Sequence, residues 1–199
     1  MHESGDSSPC QQSVEPAPDE PEPPDGLAIT IVDEGGDWSA FPARGEAIRA
    51  AGAAVAAHPR GTEARGAEAC IVLADDALVR SLNRSYRGKD APTNVLSFPF
   101  QEPPGAPSTQ GGTSPAAGAG TGPRHLGDVV LAAETVGGEA AAQELAPAHH
   151  LQHLVVHGLL HLLGFDHETD AEAEVMEGLE VEILASLGIA DPYAAADGR

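Results

Sequence analysis

Short apolar runs alternate with longer helical patterns in the first half of the chain. The runs LAITIV (27–32) and ACIVL (69–73) are rich in β-branched residues, which favour strands. An alanine-rich segment with strong helix propensity, 45–58, follows the first run. The segment 75–86 follows the second; it opens with aspartates suited to a helix N-cap and carries two leucines four residues apart. The pattern predicts a strand and a helix, repeated once.

Two more strands are predicted further along the chain. In NVLSFPF (94–100) the residues alternate with a period of two, as they do along a strand. Pro99 lacks an N–H donor, so we expect this strand at the edge of a sheet. The run LGDVVL (126–131) is the fourth predicted strand. A helix weakened by two adjacent glycines is predicted after it, over 132–145.

The last third of the chain is predicted to be almost entirely helical. Pro147 suits a first helical turn, and Gly164 suits the left-handed position that ends a helix. The leucines and valines between them leave no polar face, which predicts a central helix buried on most sides. Thr169 and Glu172 have the spacing of a capping box that opens a final helix. This helix has a predicted apolar stripe, opposite its glutamates, of Val175, Leu179, Ile183 and Leu187.

Composition limits how much of the chain can fold. With 199 residues, it is long enough for one compact domain and too short for two ordinary ones. Residues 1–26 contain six prolines and seven acidic residues, so we expect a disordered acidic tail. Residues 103–123 contain five prolines and six glycines, so we expect a mobile insertion between two strands. We also expect a flexible C-terminus over 194–199.

The formal net charge is −21, which argues against non-specific binding of nucleic acid because an acidic surface repels phosphates. The distribution of the cations nevertheless permits a local basic site. Four of the ten lysines and arginines lie within one decade of the sequence: Arg80, Arg84, Arg87 and Lys89.

Two further features bear on the compartment. No segment has the roughly 20 apolar residues of a membrane-spanning helix or the pattern of a signal peptide, which predicts a cytoplasmic protein. The two cysteines, Cys10 and Cys70, cannot build a disulfide framework or a zinc ribbon. Because Cys70 stands in an apolar run, we expect it to be a small core residue.

The segment HGLLHLLGFDH (157–167) carries the pattern of a metal site. His157 and His161, four apart on a helix, project from one face, and a turn at Gly164 can bring His167 back as a third nitrogen donor. Three imidazoles suit zinc and leave its fourth position open for water or substrate, as in catalytic sites. Burying unpartnered imidazoles costs roughly 1–3 kcal/mol each, which favours ligation over core packing. Nickel, copper or iron would also suit these donors.

The sequence gives weaker evidence that neighbouring polar residues belong to the site. His149 and His153 extend the four-residue spacing, and His125 and His150 lie nearby, but none of them has the flanking turn. Asp166, next to a predicted ligand, is either an acceptor that orients a metal-bound imidazole through its N–H or a turn residue, and the sequence leaves both readings open.

The spacing HxxxHxxGxxH also occurs in metzincin peptidases, which makes a zinc peptidase a rival hypothesis. Those enzymes place a glutamate directly after the first histidine, where it acts as general base. The corresponding residue here is Gly158. A residue without a side chain cannot take the proton, which disfavours the peptidase.

Three blocks of the chain resemble the bacterial YbeY family of metal-dependent endoribonucleases. They are LNRSYRGKDAPTNVLSFPF (82–100), LGDVVL (126–131), and HGLLHLLGFDH followed by EAEVMEGLE and LGIADPY. The resemblance covers residues 27–193 and implies a single α+β domain, with a four-stranded mixed sheet and about five helices. It also implies zinc at His157, His161 and His167, on a central buried helix.

The resemblance further implies a functional arginine at Arg87. Taken alone, an arginine in a loop between a helix and a strand is more often a solvated charge. A guanidinium pairs bidentately with phosphate oxygens, so the resemblance predicts that Arg87 and His157 are catalytic. Arg80, Arg84 and Lys89 would extend a substrate-binding track.

The resemblance implies a zinc-dependent single-strand endoribonuclease that processes the 3′ end of 16S ribosomal RNA and acts in ribosome quality control. Its implied partners are ribosomal RNA, proteins of the small ribosomal subunit and the GTPase Era. The alternative from another class is a ribosome assembly factor that binds RNA with little turnover. The zinc peptidase stays a third, disfavoured possibility.

Overall fold

A computed structural model describes residues 26–101 and 123–194 of the chain. The predicted tail (1–26), insertion (103–123) and C-terminus (194–199) lie almost wholly outside the described residues. The elements follow one another as β1 (Ala28–Asp33), α1 (Arg44–Ala57), β2 (Ala67–Ala74), α2 (Asp76–Arg87), β3 (Val95–Pro99), β4 (Arg124–Ala132), α3 (Ala133–Ala142), α4 (Pro147–Leu162) and α5 (Asp170–Ser186). A short 3₁₀ helix, Pro59–Ala64, lies between α1 and β2. The predicted order of strands and helices is confirmed.

The four strands form one mixed sheet in the order β1-β2-β4-β3. β1, β2 and β4 are parallel, whereas β3 pairs antiparallel with β4. β3 is therefore an edge strand, as Pro99 predicts. Both the mixed α+β architecture and the position of this strand agree with the sequence analysis.

Helix α2 has the local signals expected at both of its ends. The Asp75 side chain accepts a hydrogen bond from the Leu78 N–H at 2.7 Å, which caps the N-terminus. Gly88 adopts φ 70° and ends the helix. Arg87 is consequently the last residue of α2 and does not lie in a loop as expected, because the helix runs one residue further than its predicted end at 86. A residue held at a helix end is better oriented than one in a free loop.

One face of the sheet is covered by α1 and α4, and α5 packs on these two helices; together they enclose the main hydrophobic core. Helix α4 is central in it, since nine of its sixteen residues are buried. Gly158 shows how closely α4 lies on the sheet: a Cβ at this position would stand 2.6 Å from Cγ1 of Val129 on β4. Because no side chain fits there, the backbone of α4 rests directly on the strand.

The opposite face of the sheet is covered in part by α2. Leu78, Val79 and Leu82 pack there against Leu96 and Val130. The prediction that Cys70 is a core residue is wrong. Burial alternates along β2, and Cys70 lies half-buried on this second face, in register with residues 30 and 128 of the neighbouring strands. An apolar run does not distinguish the two faces of a strand, although its period of two does.

The capping box that opens α5 is confirmed. The Thr169 side chain accepts a hydrogen bond from the Glu172 N–H, and the Glu172 carboxylate accepts one from the Thr169 N–H. The predicted apolar stripe is wrong in part, because Val175 is 42% exposed. The buried face of α5 consists of Met176, Leu179, Glu180, Ile183 and Leu184. None of the described helices has both the length and the apolar character to cross a bilayer.

Candidate metal centre

His157, His161 and His167 converge on one point, as their spacing predicts. One ring nitrogen from each lies within 4.8 Å of the other two. The Nε2 atoms of His157 and His161 stand 3.2 Å apart. Two nitrogens bound to one tetrahedral zinc at 2.0–2.1 Å would stand about 3.3 Å apart. The donor set and its spacing therefore fit a zinc ion.

Two different pieces of local structure supply these ligands. His157 and His161 stand one turn apart on α4, whose burial holds their backbone in place. The chain then reverses at Gly164, which adopts φ 87°. The Phe165 N–H donates to the carbonyl of Leu160 at 3.1 Å, which closes the turn. His167 follows this turn and is the exposed member of the triad.

The Nδ1 atoms of the two helical ligands are engaged away from the metal position. Nδ1 of His157 lies 2.8 Å from Oε1 of Glu180, and Nδ1 of His161 lies 3.0 Å from the carbonyl oxygen of Phe165. Both partners are acceptors, so each Nδ1 carries the proton in a neutral imidazole. Each Nε2 then presents its lone pair to the centre of the triad.

Glu180 is the buried carboxylate behind the triad. It is 1% exposed and accepts hydrogen bonds from His157, from His153 at 3.0 Å, and from the hydroxyl of Tyr193. Burial raises the pKa of Glu180, but the hydrogen bonds from His153, His157 and Tyr193 outweigh it and lower the pKa to about 2. The side chain is thus an anion locked in place at neutral pH.

The electrostatics of the triad favour a neutral imidazole at His161. Burial lowers the pKa of His161 below the ordinary histidine value, and the neighbouring rings of His157 and His167 lower it further. A neutral imidazole is the form that binds a metal. The site is therefore ready for a cation at neutral pH without first losing a proton at His161.

The triad opens into a cleft of about 580 Å³ that Arg87 also lines. Ser97 and Pro99 of β3 form its other wall. No carboxylate of the described residues lies within 4.0 Å of the cationic groups of Arg84, Arg87 or Lys89. Arg80, in contrast, makes a bidentate pair with Asp90, at 2.8 and 3.1 Å. The structure brings Arg87 to the triad and leaves the charge of Arg80 already compensated.

His125, His149 and His150 lie outside the triad. His149 is exposed on α4, whereas His150 is buried and lies 2.9 Å from the carboxylate of Glu139. His125 packs against Phe100 on the far part of β4. Asp166 accepts the backbone N–H of His167 at 2.8 Å and lies 3.9 Å from Nδ1 of His161, so it is a turn residue in this geometry.

Sequence reasoning missed Glu180 and Tyr193. Glu180 was placed with the solvent-facing glutamates of α5, yet it lies on the buried face. One signal was available: it stands four residues after Met176 and three before Ile183, on their side of the helix. A carboxylate in register with apolar residues requires a partner in the core.

The chain is similar to known proteins over most of its length. The family model described as Endoribonuclease YbeY matches residues 46–188. A protein of Azorhizobium caulinodans named Endoribonuclease YbeY is 53% identical over 84% of this chain and 97% of its own length. One of Parvibaculum lavamentivorans with the same name is 52% identical over 85% of this chain and 86% of its own. A solution structure from Thermotoga maritima is 21% identical, with a TM-score of 0.44, over 82% of this chain and 97% of that one.

Proposed function

Because the chain belongs to the YbeY family of endoribonucleases, we propose that it is a zinc-dependent, single-strand endoribonuclease of ribosomal RNA. The observation that carries the zinc dependence is the convergence of three imidazoles with a spacing that suits zinc. The proposal extends to 3′-end processing of 16S ribosomal RNA and to ribosome quality control. It places the protein in the cytoplasm, with small-subunit proteins and the GTPase Era as partners.

The residues of the cleft have distinct parts in the proposed reaction. His157, His161 and His167 would hold the zinc ion, which when bound supplies Lewis-acid chemistry at a phosphate oxygen. Arg87 lines the same cleft with an uncompensated guanidinium, which binds the scissile phosphate and stabilises its additional negative charge in the transition state. Glu180 acts as a positioning residue, because it fixes the orientation and tautomer of His157 without facing the substrate.

Metal analysis combined with RNA cleavage tests this proposal. We expect the purified protein to hold one equivalent of zinc and to cut single-stranded RNA in preference to a duplex. His161→Ala should lose both the metal and the cleavage. His149→Ala is the matched control, since His149 lies exposed on the same helix and outside the triad, and it should keep both.

The same assay separates the proposal from the alternative of an RNA-binding assembly factor. Binding of RNA without any cleavage by the zinc-loaded protein would favour the assembly factor. Retention of one equivalent of tightly bound metal by His161→Ala would place the metal elsewhere.

A further inference from the structure

A second cleft, the α2 groove, adjoins the metal centre on the other side of β3. It lies between α2 and the second face of the sheet, and it shares three lining residues with the cleft of the triad: Arg87, Ser97 and Pro99. Since β3 is an edge strand, the two clefts meet over its free edge. A linear polymer bound at the triad can therefore continue into the α2 groove without protein atoms in its way.

The α2 groove has an apolar floor and an exposed aromatic side chain at its rim. Leu82, Phe98 and Val130 contribute to the floor. Tyr86 is 71% exposed, the largest exposure among the large hydrophobic side chains of the described residues. Its ring stands edge-on to that of Phe98, with the centroids 5.1 Å apart. This contact orients the Tyr86 ring and leaves most of its surface open for stacking.

Positive and negative side chains lie at different depths of the α2 groove. Tyr86 is followed directly by Arg87, which also lines the α2 groove, so the rim beside Tyr86 carries a cation. Asp128 on β4 and Glu34, which follows β1, line the groove deeper over the sheet. A phosphate is attracted at the rim and repelled farther in. The groove as a whole suits a group that is flat, largely apolar and attached to a phosphate.

We propose that the α2 groove binds a nucleobase of single-stranded RNA, stacked on Tyr86, from a nucleotide next to the phosphate held at Arg87. This inference rests on the proposed function and adds the path that the RNA takes. A base satisfies both features of the groove, since its π-face stacks on an aromatic ring and its phosphate stays at the cationic rim. Stacking tolerates any base, so the contact contributes affinity and register with little sequence preference.

Equilibrium binding tests the proposal independently of cleavage. The dissociation constant of a short fluorescent single-stranded RNA is measured by anisotropy, over a time in which electrophoresis shows the RNA to be intact. We expect Tyr86→Ala to weaken binding about tenfold, and Tyr86→Phe to bind within about twofold of wild type, because phenylalanine keeps the stacking ring. Phe100→Ala is the matched control, because Phe100 is an exposed aromatic residue outside both clefts. It should bind like wild type.

An RNA that lacks one base identifies the contact itself. The abasic position is moved stepwise along the RNA, and each RNA is titrated against wild type and Tyr86→Ala. We expect one position at which base removal weakens wild-type binding about tenfold and has no effect on Tyr86→Ala. Such non-additivity is the signature of two groups that touch.

The outcomes separate the two proposals. Wild-type affinity of Tyr86→Ala, or an abasic penalty that persists undiminished in this variant, overturns the stacking contact. Wild-type protein that binds RNA and shows the Tyr86 dependence but never cuts overturns the nuclease and leaves the groove assigned. If wild type does not bind single-stranded RNA, the groove is a surface for another class of partner and the inference is overturned.

Discussion

Nδ1 of His157 lies 2.8 Å from a carboxylate oxygen of Glu180, and that carboxylate is almost fully buried. The pair joins α4 to α5 at the back of the metal centre. Removal of the carboxylate frees the His157 ring to rotate and to change tautomer, while the three ligands themselves stay present.

We expect Glu180→Ala to lower zinc affinity about 10–100-fold, as the loss of an outer partner of a metal ligand does elsewhere. Competition with a fluorescent zinc chelator measures this. Glu182→Ala is the control, since Glu182 lies on the same helix with its carboxylate 70% exposed and 3.0 Å from His58. If both variants held zinc equally well, the carboxylate would have no influence on the metal.

Arg87 is predicted to act on RNA and not on folding, because it is exposed and has no carboxylate partner among the described residues. Arg87→Glu should reduce RNA cleavage at least tenfold while zinc content and the unfolding midpoint stay unchanged. Arg87→Lys should recover only part of the activity, since an ammonium lacks the planar fork. Arg49→Glu makes the same change of net charge on α1 and should cleave normally. All rates are compared at one salt concentration, because phosphate contacts weaken with salt. Normal cleavage by Arg87→Glu would remove Arg87 from the site.

Cys70 should react slowly with thiol reagents at neutral pH. Burial raises the pKa of its thiol, and the neighbouring carboxylate of Asp128 raises it further. A raised pKa means less thiolate at any pH below it, so the alkylation rate should still be rising with pH above the usual cysteine range. Mass spectrometry of iodoacetamide-treated Cys10→Ser protein measures this. Asp128→Asn should speed alkylation at pH 8 severalfold, and Glu68→Gln, on the same face, should not. Equal rates in the two variants would contradict the electrostatic explanation.

Gly158 is predicted to be intolerant of even one methyl group. Its Cβ would stand 2.6 and 3.0 Å from two carbons of Val129, so Gly158→Ala must displace α4 from the sheet. We expect a loss of about 1–3 kcal/mol in the free energy of unfolding.

Gly138→Ala on α3 is the control, because a Cβ there meets nothing within 4 Å. That change should be neutral or stabilise by up to about 1 kcal/mol. Urea titrations in excess chelator measure both variants without a contribution from metal. A stable Gly158→Ala would show that the helix can shift at little cost.

Local patterns in the sequence predicted those parts of the structure that depend on neighbouring residues. The strand order along the chain, the caps of α2 and α5, and the histidines of α4 all follow from spacings of a few residues. The metal centre belongs to this class, since two ligands share one helix and the third follows the turn at Gly164.

The features that were missed depend on contacts between distant segments. Glu180 can be buried because side chains from α4 and from the residue at 193 reach it. The spacing within α5 places it on the buried face, but it does not identify these partners. The predicted stripe from Val175 failed for a geometric reason. Steps of four residues drift around a helix of 3.6 residues per turn, and the true buried face alternates steps of three and four.

The close approach of α4 to β4 also limits which catalytic side chains this fold can accommodate at position 158. A glutamate placed at 158 would meet Val129 and the Ser97 hydroxyl before it could extend toward the triad. The general base of a zinc peptidase therefore cannot be grafted onto this chain by exchanging one residue, because the sheet occupies the volume that its side chain needs. Converting the nuclease into a peptidase would require α4 to move away from β4. The difference between the two activities therefore lies in how the helix packs on the sheet and not in a single side chain.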